Sequence, residues 1–143
     1  MRRSLTLLAA AGLTAALAGC GGDQKVPAVG TLHLDDRPLT PAVLTFHPAD
    51  GTPGPGGFAS TDAGGNFRVL DPQGGPGIHA GEYKVTVLRL PARQPKDEQD
   101  AVLVALATTT PLPAVYSDPE KTVLTATVES ADKPIDLRLT SKK

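Results

Sequence analysis

One cysteine and three histidines are the side chains of this 143-residue chain best suited to covalent or metal chemistry. The cysteine, Cys20, stands at the end of an apolar segment and directly before Gly21 and Gly22. A single thiol cannot form a disulfide within its own chain, and one sulfur alone makes a poor metal site. The histidines are spread along the chain, at His33, His47 and His79. Their surroundings in the sequence therefore decide which chemistry is open to each of them.

The residues before Cys20 have the pattern of a secretory signal. Arg2 and Arg3 precede an apolar stretch at 5–17, which is typical of a signal peptide and shorter than the roughly 20 residues that span a bilayer. The stretch ends in Leu17-Ala18-Gly19-Cys20, which resembles a bacterial lipobox. That resemblance implies cleavage before Cys20, a diacylglycerol thioether on its sulfur and a further acyl chain on its new amine. Several acyl chains anchor a protein stably in a membrane.

These features predict a lipid-anchored protein of the bacterial cell envelope. We expect a cleaved signal peptide at 1–19, a lipidated tether at 20–27 and a folded domain at 28–140, which faces the periplasm or the exterior. Glycine rather than aspartate follows Cys20, and this favours the outer membrane. The domain contains no other cysteine, so packing alone must stabilise it in an oxidising compartment.

The composition of the mature chain limits its function further. Loss of Arg2 and Arg3 with the signal lowers the formal charge from −1 to −3. The chain carries no basic cluster, so nucleic acid is not a predicted partner. About 124 residues remain after residue 19, which is enough for one domain.

The apolar pattern predicts an all-β fold, because seven segments alternate with the period of two that half-buried strands show. Glycine and proline cluster between them, and in the turn at 61–66 we expect Asp62 to bond its own backbone while Gly64 and Gly65 take positive φ. One stretch, 96–107, begins with acidic residues and continues with helix formers, which predicts a short helix on a long crossover. Together these features predict a seven-stranded Greek-key β-sandwich. The strand segments are 28–34, 42–48, 57–60, 66–70, 82–90, 122–128 and 134–140.

A metal site built from the three histidines is not expected. If the first two long strands pair as a hairpin around 35–41, His33 lies opposite Val43, and His47 is then about 13 Å further along at about 3.3 Å per residue. Zinc ligands lie about 2 Å from the ion, so the two rings cannot share one. We predict no catalytic, metal-binding or cofactor-binding residue in the chain.

Three motifs in order resemble the transthyretin-like, carboxypeptidase-regulatory-like β-sandwich module. They are GTLHLDDRPLTPAVLTFHP at 30–48, STDAGGNFRV at 60–69 and AGEYKVTVLR at 80–89, and the segment 113–128 is similar to the C-terminal part of bacterial lipoproteins with this module. Asp36 and Pro41 replace glycines that the pattern usually has. The motifs consist of strand and turn residues, such as a bend at Gly81 and a buried ring at Tyr83 with its hydroxyl at the rim, so they indicate a fold rather than a reaction.

Related modules suggest a hydrolase or an isopeptide crosslink, and β-sandwiches at bacterial surfaces often bind sugars. Hydroxyisourate hydrolase shares this fold, and His33 echoes its histidine strand, but the Tyr-Arg-Gly-Ser motif of that enzyme is missing here. An isopeptide crosslink of related modules needs an asparagine in the last strand, whereas Asn66 lies beside a turn. Carbohydrate binding usually needs aromatic platforms, for which only Tyr116, Phe58 and Tyr83 are available.

We therefore predict a non-enzymatic, lipid-anchored β-sandwich that acts as a structural or interaction module, with a surface carbohydrate-binding module as the alternative. Its partners are the membrane, through the lipid on Cys20, and an envelope protein or polysaccharide. The loops expected to carry a partner surface are 50–57, 71–80 and 90–120, since loops on a rigid scaffold carry function.

Overall fold

The computed structural model describes residues 24–91, 96–107 and 112–142, with only the backbone described at 103–107. The predicted all-β class is confirmed, since strands dominate the chain. Each of the seven predicted segments contains a strand, and three two-residue strands add to them. The strands are β1 Lys25–Val26, β2 Val29–Leu34, β3 Arg37–Pro38, β4 Ala42–Pro48, β5 Gly57–Ser60, β6 Asn66–Arg68, β7 Ile78–His79, β8 Gly81–Arg89, β9 Thr125–Val128 and β10 Ile135–Leu139.

Two four-stranded sheets and one short two-stranded ladder make up the described fold. In the first sheet β2 pairs with β10 in parallel and with β3 and β6 in antiparallel. The second sheet has the antiparallel order β5-β4-β8-β9. The ladder joins β1 to β7 and ties the start of the domain to the start of β8. The arrangement is an all-β, sandwich-like architecture.

The two sheets share one apolar core. The ring of Phe46 on β4 lies 6.0 Å from the ring of Phe67 on β6 and 6.2 Å from that of Tyr83 on β8, so one side chain joins both sheets. Burial alternates along the strands as the pattern predicted, because alternate side chains point to opposite faces of a sheet. The strand residues predicted to face inward and found buried are Leu32, Ala42, Leu44, Phe46, Phe67, Val69, Tyr83, Val85, Val87, Leu124, Ala126, Val128, Ile135, Leu137 and Leu139.

The expected hairpin between the first two long strands is wrong. The chain turns back at Asp35 and Asp36, and β2 pairs with the short β3 instead. Leu39, which is buried, then leads the chain across to the second sheet, where β4 pairs with β5 and β8. The two-residue turn closes the hairpin too early for β4 to take part in it.

The predicted turn at 61–66 and the predicted helix are both present. Asp62 Oδ1 accepts hydrogen bonds from the backbone N–H groups of Gly64 and Asn66, each at 2.9 Å. Only Gly65 of the glycine pair has positive φ, at 77°, so the expectation for Gly64 is wrong. Helix α1 spans Glu98–Ala107, and Asp97 Oδ1 accepts the backbone N–H of Asp100 at 2.7 Å, as a helix cap does.

Replacing Asp36 by glycine is expected to stabilise the protein by about 0.5–1 kcal/mol. Asp35 and Asp36 have φ of 48° and 64°, the left-handed region in which glycine has no steric penalty. The side chain of Asp36 is 89% exposed and its pairing with Arg138 spans 3.6 Å, so little is lost with it. Chemical denaturation measures the gain. Asp35→Gly is the matched control and should gain less, because Asp35 Oδ1 accepts the N–H of Ser141 at 3.0 Å. Equal gains at both positions would contradict this explanation.

Candidate functional site

Strand β1 begins at Lys25, five residues after Cys20. Cys20 and the predicted signal peptide lie outside the described residues. Lys25 opens β1 and pairs with His79 of β7. The Lys25 ammonium also donates to Asp71 Oδ2 at 2.5 Å. These contacts fix the point at which the tether leaves the domain. We call the end of the sandwich that carries β1, β7 and the start of β8 the tether end.

Asp71 organises the loop that receives the tether. Its side chain is 6% exposed, and its Oδ1 accepts the backbone N–H groups of Gln73 at 2.8 Å and Gly75 at 2.9 Å. The hydrogen bond from Lys25, followed by that from Gly75, holds the pKa of this carboxyl below its usual value of 3.8. In the sequence, only its position before a proline distinguishes Asp71 from other aspartates. Its role could not be predicted, because its partner Lys25 lies 46 positions away.

Replacing Asp71 by asparagine is expected to lower the melting temperature by about 5 °C at pH 7. Because the folded state has the lower pKa, the carboxylate stabilises the fold fully above the unfolded value and loses this effect as the pH falls through the folded value. The difference between wild type and Asp71→Asn should therefore shrink below about pH 4. Thermal melts from pH 3 to 7 measure it, with Asp50→Asn at an exposed loop position as the control. A difference that stays constant over this range would contradict the role of the ion pair.

The three histidines occupy separate parts of the fold. His33 lies on β2 of the first sheet, and its Nδ1 is 3.7 Å from Asp136 Oδ1, which is too long for a hydrogen bond. His47 lies on β4 of the second sheet, where its Nε2 is 3.0 Å from Thr86 Oγ1. His79 belongs to β7 at the tether end, beside Gly54. Among the described residues, no group of three or more His, Cys, Asp or Glu is placed to hold a metal ion.

The polar residues around His33 form an exposed network on the outer face of the first sheet. Asp136 accepts hydrogen bonds from Arg138 Nε at 2.9 Å and from Thr31 Oγ1 at 3.3 Å. Arg138 in turn reaches Asp36 across 3.6 Å. The hydrogen bond from Arg138 is the main reason that the pKa of Asp136 lies below its ordinary value. Parallel pairing places Thr31 opposite Asp136 and His33 opposite Arg138, so the register of β2 and β10 accounts for the network.

Two of the three aromatic side chains named for carbohydrate binding are buried. Tyr83 is 1% exposed, and its hydroxyl donates to the carbonyl of His79 at 2.7 Å, as expected; burial raises its pKa. Tyr116 is 7% exposed, and its hydroxyl accepts the N–H of Thr140 at 3.2 Å. Phe58 is 41% exposed and is the accessible ring of the three.

A shallow groove of about 490 Å³ is lined by residues of β2 and β6, among them Gly30 and Phe67. Its polar lining residues include Thr31, Ser60, Asn66 and Arg68. Asp62 also lines the groove, but both of its oxygens bind the Asn66 side chain, at 3.1 and 3.2 Å. These groups can form hydrogen bonds to a polar ligand.

A second groove is apolar and lies at the opposite end from the tether. Its volume is about 790 Å³, which is within the range of small-molecule sites. The short 3-10 helix at Ala114–Tyr116 forms one wall, and the residues after β10 form another. We call it the end groove. Its lining residues are Leu112, Pro113, Ala114, Val115, Tyr116, Lys121, Val123, Ser141 and Lys142.

The loops predicted to carry a partner surface divide between the two ends. The 50–57 and 71–80 loops lie at the tether end, where Thr52 Oγ1 donates to the carbonyl of Glu82 at 2.9 Å. The 90–120 crossover contributes α1 and the wall of the end groove. The two ends are separated by β8, whose nine residues extend about 26 Å at about 3.3 Å per residue.

No protein-family model, curated protein or solved structure matches this chain. No helix among the described residues is long and apolar enough to span a membrane. The class of protein that can be stated from the structure is therefore an all-β, sandwich-like domain.

Proposed function

We propose that this protein is a bacterial lipoprotein, anchored through an acylated Cys20, that acts as a non-enzymatic structural or interaction module of the cell envelope. The seven longer strands of its domain take the Greek-key topology of the transthyretin-like module. The outer membrane is the favoured location, with the domain facing the periplasm or the exterior. The membrane, through the lipid, and an envelope protein or polysaccharide are the partners.

The position of the tether end is the observation that carries the proposal. Cys20 and Lys25 are five residues apart, a span of at most about 18 Å. The tether is thus short, and its end is fixed by the β1–β7 ladder and by the pairing of Lys25 with Asp71. A lipid on Cys20 would hold the tether end close to the bilayer and direct the end groove away from it.

Several polar side chains have structural roles, and this supports the proposal that the protein is not an enzyme. Asp62 holds a turn, His47 bonds across strands to Thr86, and Asp71 holds the loop that receives the tether. Tyr83 connects the core to the backbone of β7 through its hydroxyl. Each of these groups has a role in maintaining the fold.

Replacing Cys20 by serine tests the anchor. The wild-type protein is expected in the detergent phase of a Triton X-114 extraction and to incorporate labelled palmitate in a bacterial host. Cys20→Ser should move it to the aqueous phase and abolish the label, because serine has no thiol to alkylate. Ala18→Ser, which keeps a small residue in the lipobox, is the matched control and should partition as wild type. Unchanged partitioning of Cys20→Ser would refute the proposal.

A further inference from the structure

The end groove combines apolar walls with exposed cations. Leu112, Val115 and Val123 contribute aliphatic surface, and Val123 is 71% exposed although it lies next to the buried Leu124. An aliphatic side chain left in water within a concave surface of this size is typical of a ligand or partner site. An apolar ligand can therefore leave water and pack against this aliphatic surface.

The charges at the groove define the other part of the ligand. Lys121 and Lys142 are both exposed lining residues, and Ser141 adds a hydroxyl. Lys121 Nζ lies 3.3 Å from Asp118 Oδ2, and Lys142 interacts electrostatically with Asp35, whose Oδ1 accepts the N–H of Ser141. Neither carboxylate belongs to the lining residues. Because ion pairs between exposed side chains contribute only about 0–1 kcal/mol, both lysines can exchange these carboxylates for an anionic group on a ligand, and the lining residues add no carboxylate that would repel it.

We propose that the end groove binds an anionic amphiphile, that is, an acyl or alkyl chain with a carboxylate or phosphate head. The chain lies against Leu112, Val115 and Val123, and the head pairs with Lys121 and Lys142. Two cations with a neighbouring hydroxyl suit either head group, because both present several acceptor oxygens. This inference uses the proposed anchor only for orientation, since the lipid would direct the groove away from the membrane.

Titration of the full chain carrying Cys20→Ser with dodecanoate, dodecyl phosphate and dodecanol tests the proposal. Calorimetry below the micelle concentration measures affinity, and tyrosine fluorescence reports on the groove because Tyr116 lines it. We expect saturable one-to-one binding of at least one anionic probe, and the stronger of the two identifies the head group. Dodecanol should bind at least about tenfold more weakly. Because this variant has no acylated cysteine, the result is independent of the anchoring experiment.

Two pairs of variants locate the site. Val123→Glu places a carboxylate in the groove at an exposed position and should abolish binding of the anionic probes, whereas Thr127→Glu at the exposed far end of β9 should not. Lys121→Gln with Lys142→Gln should weaken binding about tenfold. Lys133→Gln, in the loop between β9 and β10, is the control for the loss of a lysine and should bind as wild type.

Several results would overturn the proposal. They are no saturable binding of either anionic probe, equal affinity for dodecanol, and unchanged binding by Val123→Glu. Self-association of the protein that Val123→Glu abolishes would assign the groove to a second copy of the chain instead. Circular dichroism of each variant confirms that a loss of binding is not a loss of fold.

Discussion

Replacing Gly30 by alanine is expected to destabilise the protein by more than about 3 kcal/mol. A Cβ at this position would lie 2.1 Å from the carbonyl oxygen of Ile135 and 2.6 Å from the ring of Phe67. The first contact is with the backbone of β10. The second is with the core ring of Phe67 on β6, which pairs directly with Gly30 across the sheet. Neither neighbour can move without breaking the first sheet. Small domains are stable by only about 5–15 kcal/mol, so the variant should be partly unfolded at 37 °C.

Gly51 provides the control for this substitution. It has positive φ, at 84°, and open space around its Cβ position. Gly51→Ala therefore measures backbone strain alone, which costs about 1 kcal/mol. Urea denaturation of both variants separates strain from the steric clash. If Gly30→Ala were no less stable than Gly51→Ala, the close approach of β2, β6 and β10 would be wrong.

Truncating Phe46 to alanine should cost about 3–5 kcal/mol. The side chain is 1% exposed and contacts rings from both sheets, so its removal leaves a cavity between them. Phe46→Leu, which keeps an apolar side chain of similar reach, should cost about 1.5 kcal/mol or less. The difference between the two variants in urea denaturation measures the cavity. Equal losses would show that the contact between Phe46 and its neighbouring rings does not join the sheets.

The sequence predicted the strands well because their burial follows from local alternation. Leu44 and Phe46 on β4, and Val85 and Val87 on β8, are separated by polar or small residues, and the period of two places them in the core without knowledge of their partners. The same applies to the turn at Asp62, whose carboxylate bonds are made within four residues.

Contacts between distant residues were the ones that the sequence did not reveal. The pairing of Lys25 with Asp71 and the parallel register of β2 and β10 depend on which strands meet, and alternation contains no information on that. The expected hairpin failed for the same reason. Asp35 and Asp36 form a turn that usually contains glycine or asparagine, so the point at which the chain reverses was not evident.

The alternation of apolar residues in the sequence did not predict the end groove either. Its walls come from the crossover at 112–116, from the residues before β9 and from the residues after β10, and their proximity is a property of the folded chain. Tyr116 was singled out as a surface aromatic, and the structure instead places it as a buried wall whose hydroxyl bonds to Thr140.

Mass spectrometry of the protein extracted from its native membranes tests the central claim most directly. Trypsin cuts after Lys25, so the mature N-terminal peptide is predicted to span residues 20–25 and to carry a diacylglycerol on the Cys20 sulfur, with a further acyl chain on its amine. A mature chain that starts at another residue, or a peptide whose Cys20 bears a free thiol, would contradict the account.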